Sequence, residues 1–310
     1  MVSTRKYDKK KELDQFYTNP DIASLCIDRS INTFIQLGYC FDNLQFLEPS
    51  AGEGAFIQAV KKFGKSFAFD LDPKNKSIFK IDFLNDNISQ KNINKKLLKL
   101  PSRKKLITIG NPPFGNRSKL AIRFINKAFE YSDTVAFIVP LMFQKYSAQS
   151  KIRTEAKLVF DTKIPSNSFL YEGKEYNVRC CWQIWTLRNS KLQNIRIKTS
   201  PITKHPDFEM WQYNNTPEAK KYFNKKKYNW NFAVPRQGYK NYSLKEKSPD
   251  NLSPSTQWIF FKAKSKKVLD LLYKIDFQKL SYKNTTVPGF GKADVIQEFN
   301  QMFSNYEKVI

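Results

Sequence analysis

Histidine and paired cysteines are almost absent from this 310-residue chain. It holds one histidine, His205, and four cysteines without any Cys-x-x-Cys spacing. Zinc sites are built from close groups of such residues, and disulfide frameworks from regularly spaced cysteines. The sequence therefore predicts no metal site, and its cysteines are expected to be buried thiols.

Long apolar runs are also missing. The longest, residues 134–143, is interrupted by Pro140 and is too short to cross a bilayer. Residues 1–11 carry charges where a signal peptide needs an apolar core. We therefore expect an intracellular protein, in the cytoplasm or nucleoid, with no membrane partner.

Acidic residues are few: 28 Asp and Glu stand against 53 Lys and Arg, which gives a formal net charge of +25. Such a charge attracts polyanions, so nucleic acid is the expected partner. Residues 1–190 carry 31 basic and 18 acidic side chains, and residues 191–310 carry 22 and 10, so the C-terminal part is the more densely positive. The alternative is that lysine is simply the favoured solvated residue.

The pattern from residue 20 to 188 is that of repeated βα units. Short apolar runs that read as strands alternate with stretches of helical periodicity, which is typical of a mostly parallel sheet in an α/β fold. A late strand is expected over 176–187, in a hairpin with the strand before it. The other predicted strands are 44–48, 66–70, 106–110 and 135–139, and the predicted helices are 55–63 and 120–131.

After residue 188 the composition shifts toward Lys, Asn, Tyr and Pro. We therefore place a boundary near 188–200 and predict a second, smaller α+β body with long loops. Its predicted strands are 230–234 and 257–262, and its predicted helices are 266–273 and 293–303.

A glycine-bearing loop, Glu48 to Phe56, follows the first predicted strand and opens a predicted helix. Small residues at that position let the backbone approach a bound ligand closely. We expect Ser50, Ala51, Gly52 and Gly54 to form such a cradle; the alternative is a purely structural turn. The sequence has no lysine-bearing phosphate loop, which argues against an ATPase site.

Acidic residues end the next two short apolar runs. Asp70 comes about 20 residues after the loop, where a carboxylate can accept hydrogen bonds from both hydroxyls of a ribose; Asp72 is the alternative. Asp82 and Phe83 follow the third run, where the acid can accept an adenine amino hydrogen and the ring can stack on the base. Taken singly, each acid has a helix cap or a turn as its alternative role.

Residues 110–115, Gly-Asn-Pro-Pro-Phe-Gly, follow the fourth strand. Pro113 keeps Pro112 out of the helical region, so the Pro112 carbonyl stays available as an acceptor. The amide oxygen of Asn111 is a second acceptor, and an amino group that donates to both is drawn toward tetrahedral geometry with its lone pair free. Phe114 can stack on the ring that carries the amine. The motif predicts methylation of an aromatic amine, with a rigid turn as the alternative.

These motifs, in this order, resemble the amino-methylating, adenine-specific DNA methyltransferases with the gamma-type motif order. Asp14 to Thr18 is similar to their N-terminal motif, Glu48 to Phe56 to their cofactor loop, and Asn111 to Phe114 to their catalytic tetrapeptide. The resemblance covers roughly residues 12–188. It implies a Rossmann-like fold, with a seven-stranded, mostly parallel sheet and helices on both faces, and S-adenosyl-L-methionine as cofactor.

The resemblance also implies roles for single residues at the cofactor. Thr18 and Glu48 would hold its methionine end, Asp70 its ribose, and Asp82 with Phe83 its adenine.

At the substrate, Asn111 and Pro112 would grip the target amine. In the family a second aromatic residue closes over the flipped base, and Phe169 is the first choice here, with Tyr171 second.

The implied substrate is an adenine that is rotated out of double-stranded DNA, because its amino group cannot be reached inside the duplex. Residues 1–190 would form the catalytic domain, and residues 191–310 a compact domain for target recognition. The run Lys225 to Lys227 would touch phosphate or only solvent. The residues expected to contact DNA are Arg236, Gln237, Tyr239 and Lys240; a solvated loop is the alternative.

Other functions remain open at this point. The same tetrapeptide would also suit an adenine in RNA or a glutamine side chain of a protein, although the charge disfavours a protein substrate. A catalytically silent nucleic-acid-binding subunit is the alternative from another class. The resemblance further allows a cognate restriction endonuclease as a partner.

Overall fold

The computed structural model describes residues 17–85, 105–115, 118–171, 174–283 and 285–303. The chain divides into two compact units after Lys198. Asp14 to Phe16, the start of the predicted N-terminal motif, lie outside the described residues. The roles assigned to residues 1–190 and 191–310 stay predictions.

The first unit is built mainly from strands. In chain order they are β1 (Tyr17–Thr18), β2 (Gln45–Glu48), β3 (Lys65–Asp70), β4 (Phe79–Lys80), β5 (Leu106–Gly110), β6 (Thr134–Pro140), β7 (Lys157–Lys163), β8 (Phe169–Tyr171), β9 (Lys174–Tyr176) and β10 (Cys180–Thr186). Its α-helices are α1 (Pro20–Gln36), α2 (Ala55–Val60), α3 (Lys119–Ala128) and α4 (Tyr146–Gln149).

Seven of these strands form one sheet, in the order β4-β3-β2-β5-β6-β10-β7. The pairs from β4 to β6 are parallel, whereas β10 is antiparallel to both β6 and β7. The predicted seven-stranded, mostly parallel sheet is confirmed. The chain passes from β2 outward to β3 and β4 and then returns to β5, so the order reverses between β2 and β5. Open α/β sheets bind ligands at such a switch point, beyond the carboxyl ends of the strands.

Helices cover both faces of this sheet, as predicted. Phe46 and Leu47 are neighbours in β2, and their side chains point to opposite faces. Phe46 is buried in the cluster that contains α1 and α2, while Leu47 is buried in the cluster that contains α3. The sheet is therefore packed against helices on both of its faces.

A separate three-stranded sheet brings two distant parts of the first unit together. β1 pairs antiparallel with β8, and β8 with β9. In this register Thr18 lies opposite Phe169. Helix α1 begins directly after β1, with Pro20 at its first position and the Asn19 side chain accepting from the Asp21 amide.

The second unit is a small α+β body, as predicted. Its strands β11 (Phe208–Tyr213), β12 (Phe232–Gln237) and β13 (Gln257–Ala263) form an antiparallel sheet in the order β11-β13-β12. One face packs on the helices that follow β13, and the other face buries a second aromatic cluster. Its α-helices are α5 (Lys225–Tyr228), α6 (Lys266–Lys274), α7 (Phe277–Ser281) and α8 (Lys292–Met302).

Several predicted elements differ at their ends. The helix expected over 55–63 ends at Val60. The strand expected over 176–187 is β10 and begins only at Cys180, because Tyr176 belongs to β9, which pairs with β8 in the small sheet. The strand expected over 230–234 is shifted to β12 and contains Pro235. A proline is tolerated there because β12 is an edge strand, where a missing N–H breaks no ladder on the open side.

Candidate cofactor and substrate site

A pocket lies at the switch point of the large sheet. Six of the residues predicted for the site line it together: Thr18, Glu48, Ser50, Ala51, Gly52 and Asn111. Three further lining residues were not predicted as site residues: Tyr17, Glu53 and Ala55.

The loop after β2 makes a tight turn that favours glycine at two positions. Gly52 and Gly54 have φ angles of +54° and +91°, in the left-handed region. A Cβ on Gly52 would lie 2.9 Å from the Tyr17 ring, so a side chain there would also displace that ring. The amide of Ala51 donates to the Phe69 carbonyl at 2.9 Å, which ties the loop to β3. The loop thus presents its backbone closely to the pocket.

Glu48 ends β2 and is almost wholly buried, with 3% of its surface exposed. Its Oε2 accepts from the Ile57 amide at 3.1 Å, in the first turn of α2. Burial raises the pKa of the Glu48 carboxyl well above its usual value; the Ile57 N–H lowers this pKa and the charge of Asp70 raises it further. A Cβ on Gly110 would lie 3.3 Å from the Glu48 Cγ, so the glycine that ends β5 makes room for this side chain.

Asp70 ends β3 and stabilises the pocket loop from behind. Its Oδ2 accepts from the Gly52 amide at 2.7 Å, and its Oδ1 accepts from the Asp72 amide at 2.8 Å. Asp70 does not line the pocket itself. Each carboxylate oxygen has a second lone pair, so these two bonds leave acceptor capacity for a ligand hydroxyl.

Asn111 joins the tetrapeptide after β5 to the glycine-bearing loop after β2. The Ser50 hydroxyl donates to the backbone carbonyl of Asn111 at 3.2 Å. Within the part of the chain that the structure describes, no hydrogen bond to the Pro112 carbonyl is found. Asn111 lines the pocket, whereas Pro112, Pro113 and Phe114 do not.

The end of the tetrapeptide is held against α3. The Phe114 carbonyl accepts from the amides of Leu120 and Ala121 at 3.2 and 3.4 Å. Gly115 has a φ of +66°, and a Cβ there would lie 2.7 Å from the Leu120 Cβ. Gly115 therefore allows the loop and the helix to approach, which fixes where Phe114 stands.

Phe169 lies beside the tetrapeptide but is fully buried. Its ring meets that of Phe114 edge to face, with 6.2 Å between the centroids. None of its surface is exposed, so in this structure the ring supports Phe114 and offers no face to a flipped base. The clamp role stays a prediction, and the backbone of Tyr171, the second choice, lies in the same strand, β8.

Asp82 and Phe83 lie away from the pocket wall. The Asp82 Oδ1 accepts from the Leu84 amide at 3.0 Å, which is a local turn. The Phe83 ring is 1% exposed and stacks on Phe124 with 5.6 Å between the centroids. The structure gives this ring a role in the core, and its predicted contact with adenine stays a prediction.

Tyr17 is the most informative residue that sequence reasoning did not place in the site. Burial raises the pKa of its hydroxyl, which the positive charge of Lys74 lowers and the negative charge of Glu53 raises. Its ring packs on Gly52. Its position next to Thr18 was the one feature of the sequence that could have indicated a place in the site. The pairing of β1 with β8 is what fixes the strand that carries Tyr17.

The predicted recognition residues form a strand end and a loop in the second unit. Arg236 and Gln237 end β12, and the exposed loop begins at Gly238, whose φ is +67°. Arg236 is held by its own unit, since its Nη1 donates to Asn214 at 2.9 Å and to Gln257 at 2.7 Å.

Burial lowers the pKa of the Arg236 guanidinium, and the charge of Asp294 raises it. Gln237, Tyr239 and Lys240 are exposed. Contact of these residues with bases stays a prediction.

The pocket is acidic although the chain is strongly basic. Glu48 and Glu53 line it, and the Asp70 carboxylate accepts from the Gly52 amide of its loop, whereas the Asp72 carboxylate is paired with Lys74. Among the described residues, no group of three or more His, Cys, Asp or Glu side chains is arranged to hold a metal ion. No helix within those same residues is long and apolar enough to cross a membrane.

The chain is similar to several solved structures. No family model and no curated protein matches the sequence. A proposed RNA methyltransferase from Pyrococcus horikoshii is similar over 60% of this chain and 92% of its own, with 17% identity and a TM-score of 0.38. The modification subunit of a proposed type I restriction enzyme from Vibrio vulnificus is similar over 83% of this chain and 61% of its own, with 12% identity and a TM-score of 0.37.

A proposed S-adenosylmethionine-dependent methyltransferase from Streptococcus mutans is similar over 51% of this chain and 49% of its own, with 13% identity and a TM-score of 0.33. The class that the strand order itself defines is a Rossmann-like α/β sheet with one late antiparallel strand.

Proposed function

We propose that this chain is an S-adenosyl-L-methionine-dependent methyltransferase that methylates the exocyclic amino group of adenine in DNA. The observation that carries the proposal is the meeting of two motifs in one pocket. The acidic loop after β2 and Asn111 after β5 line it together, and Ser50 bonds one motif to the other.

The pocket suits the charge of this cofactor. S-adenosylmethionine bears a positive sulfonium, an ammonium and a carboxylate, so it is a cation overall. A negative pocket attracts it and repels the phosphates of a nucleic acid, which the rest of the basic surface attracts. Glu48 would hold the ammonium, Thr18 the carboxylate, and the spare lone pairs of Asp70 the ribose hydroxyls.

When bound, the cofactor supplies a methyl group made electrophilic by the positive sulfur. The residues of this chain would orient the amine. The side-chain oxygen of Asn111 and the carbonyl of Pro112 would each accept one amino hydrogen, which draws the nitrogen toward tetrahedral geometry and frees its lone pair. Phe114 would stack on the base. No general base is needed at the attack step, because the proton can leave to water afterwards.

The experiment is methyl transfer from labelled S-adenosylmethionine to matched DNA and RNA, with the product nucleoside identified by mass spectrometry. We expect N6-methyladenine in DNA from the wild type. Asn111→Ala should abolish it while cofactor and DNA binding persist, because one aligned acceptor is removed.

The other outcomes separate the alternatives. Product only in RNA would support an RNA adenine methyltransferase. Cofactor binding without turnover on either nucleic acid would support a silent subunit. Wild-type turnover by Asn111→Ala would refute the assigned role of this residue.

A further inference from the structure

One surface of the second unit combines exposed lysines with partly exposed aromatic rings. It lies on the face of the small sheet opposite α6 to α8, where Trp211 of β11 points. A 3₁₀ helix, Pro217–Phe223, and α5 provide the rest of it. We call it the Trp211 surface, and it consists of Trp211, Lys220, Lys221, Tyr222, Lys226, Lys227 and Tyr228.

Its three rings form one cluster. The centroid of Trp211 lies 5.4 Å from that of Tyr228 and 6.4 Å from that of Tyr222. Tyr222 and Tyr228 meet at 5.0 Å with an interplanar angle of 72°. All three rings are only partly buried. Trp211 is the one tryptophan of the chain that is not fully buried, since the other four are at most 2% exposed.

The lysines stand beside these rings. Five occur between residues 217 and 228, with Glu218 as the single acid. The Lys221 ammonium lies 5.5 Å from the Tyr222 centroid, and that of Lys227 lies 5.9 Å from the Tyr228 centroid. A phosphate bound by either ammonium would therefore bring the base of the same nucleotide close to a ring.

We propose that the Trp211 surface binds single-stranded nucleic acid, with its lysines on phosphates and its rings stacked on unpaired bases. Gripping a duplex backbone needs the lysines alone, because paired bases are not accessible to rings on a surface. Partly exposed rings among lysines are the combination that binds unpaired strands with little sequence preference. This site is distinct from the predicted loop at residues 236–240.

The inference rests on the proposed function only for the class of partner, which is nucleic acid. It can be tested independently, because binding is measured without methyl transfer.

The first experiment uses the whole 310-residue chain and a fluorescein-labelled 20-mer oligonucleotide, either single-stranded or annealed to its complement. Tyr228→Leu keeps an apolar side chain but removes a stacking face. We expect it to weaken single-strand binding by at least about fivefold, the effect of losing one stacked base, and to leave duplex binding unchanged.

Tryptophan fluorescence gives an independent readout. An unlabelled single strand should quench the emission of the wild type through Trp211. Trp211→Phe should lose that quench while it still binds the labelled strand. Retained quenching in this variant would mean that the strand contacts another part of the chain.

The lysines are tested against a matched control. Changing Lys221, Lys226 and Lys227 to Gln should reduce the slope of log affinity against log salt by about two for the single strand. The control changes exposed Lys264, Lys266 and Lys274 to Gln, which removes the same charge from another part of the second unit. It should leave the slope close to that of the wild type.

The proposal is overturned if folded Tyr228→Leu binds the single strand as the wild type does, or if both lysine triples lower its affinity equally. Thermal melting verifies that each variant is folded, and Tyr222→Leu replaces Tyr228→Leu if the latter is not. If the chain fails these binding tests but methylates DNA, only the inference about the Trp211 surface is wrong. If the chain passes them but does not methylate, only the proposed function is wrong.

Discussion

Ser50 connects the two motifs of the pocket through a single hydrogen bond. Its hydroxyl donates to the Asn111 carbonyl at 3.2 Å, so the loop after β2 positions the backbone of the residue that would hold the amine. The bond is between side chain and backbone across 61 positions of sequence. Ser50 is therefore a positioning residue for Asn111.

Ser50→Ala should lower the rate of methyl transfer by roughly fivefold, because one hydrogen bond of about 1 kcal/mol is lost. Cofactor affinity, measured by calorimetry, should change little. Ser50→Thr retains the hydroxyl and is the control that should recover most of the rate. An unchanged rate in Ser50→Ala would show that the bond does not position Asn111.

The buried carboxyl of Glu48 makes the stability of the fold depend on pH. Burial raises the pKa of its carboxyl, so the folded state binds this proton more tightly than the unfolded chain does. The stability that this group contributes is full below the unfolded pKa and is lost as the pH rises through the folded pKa. Ionisation of this buried carboxyl therefore costs the fold stability, and a bound cationic ligand would offset that cost.

Glu48→Gln cannot ionise, so its free energy of unfolding should fall less than that of the wild type as the pH rises from 4.5. Urea denaturation at a series of pH values measures this. The same variant should bind S-adenosylmethionine at least about tenfold more weakly, since a charged hydrogen bond is removed. Glu53→Gln, on the exposed rim, is the matched control; parallel pH profiles for wild type and Glu48→Gln would contradict the assignment.

At the scale of elements, the loop after β5 is fixed by its contact with α3. Gly115 has a left-handed φ and almost touches Leu120. Gly38, which follows α1, has a similar φ of +77°, but no atom lies within 4 Å of the position that a Cβ would take there. Replacing each glycine with alanine therefore separates two effects on stability. At Gly38 only the left-handed backbone angle is unfavourable, whereas at Gly115 the new Cβ is also crowded.

Gly38→Ala should cost about 1 kcal/mol of stability, the usual strain of a left-handed residue. Gly115→Ala should cost about 1–3 kcal/mol more, because its Cβ forces the loop away from α3. Urea denaturation compares the two. Only Gly115→Ala should also lower methyl transfer, and equal losses of stability would mean that the loop accommodates the methyl group freely.

The elements that the sequence predicted best are those with strong local patterns. The strand at 106–110 and the helix from residue 266 form almost as expected, because each is a continuous run of one periodicity. The helix at 55–63 was too long, since its last residues form a turn. The short strands β1 and β8 have no periodicity to detect and exist only through their pairing.

At the scale of the whole molecule, the acidic residues of the pocket contrast with the basic charge of the rest of the chain. The chain carries +25, but its pocket gathers acids. A small cation and a polyanion can therefore be attracted to different places on one protein. Affinity for the polyanion should depend on salt far more than affinity for the small cation.

Binding of a 30-base-pair duplex should weaken by roughly 10³–10⁵-fold between 50 and 200 mM salt if six to ten phosphates are contacted. Fluorescence anisotropy over that range measures it, and S-adenosylmethionine affinity under the same conditions is the control. An affinity for DNA that stays constant would exclude binding through the phosphate backbone.

The sequence by itself determined the class of fold and the two motifs of the pocket. Strand periodicity, the glycines after β2 and the paired prolines after β5 act within a few residues, so they can be read locally. The burial of Phe83 and Phe169, the approach of Tyr17 to Gly52 and the bond from Ser50 to Asn111 were decided only by the tertiary structure. These contacts join residues far apart in the chain, and whether a ring faces a pocket or a core depends on what packs against it.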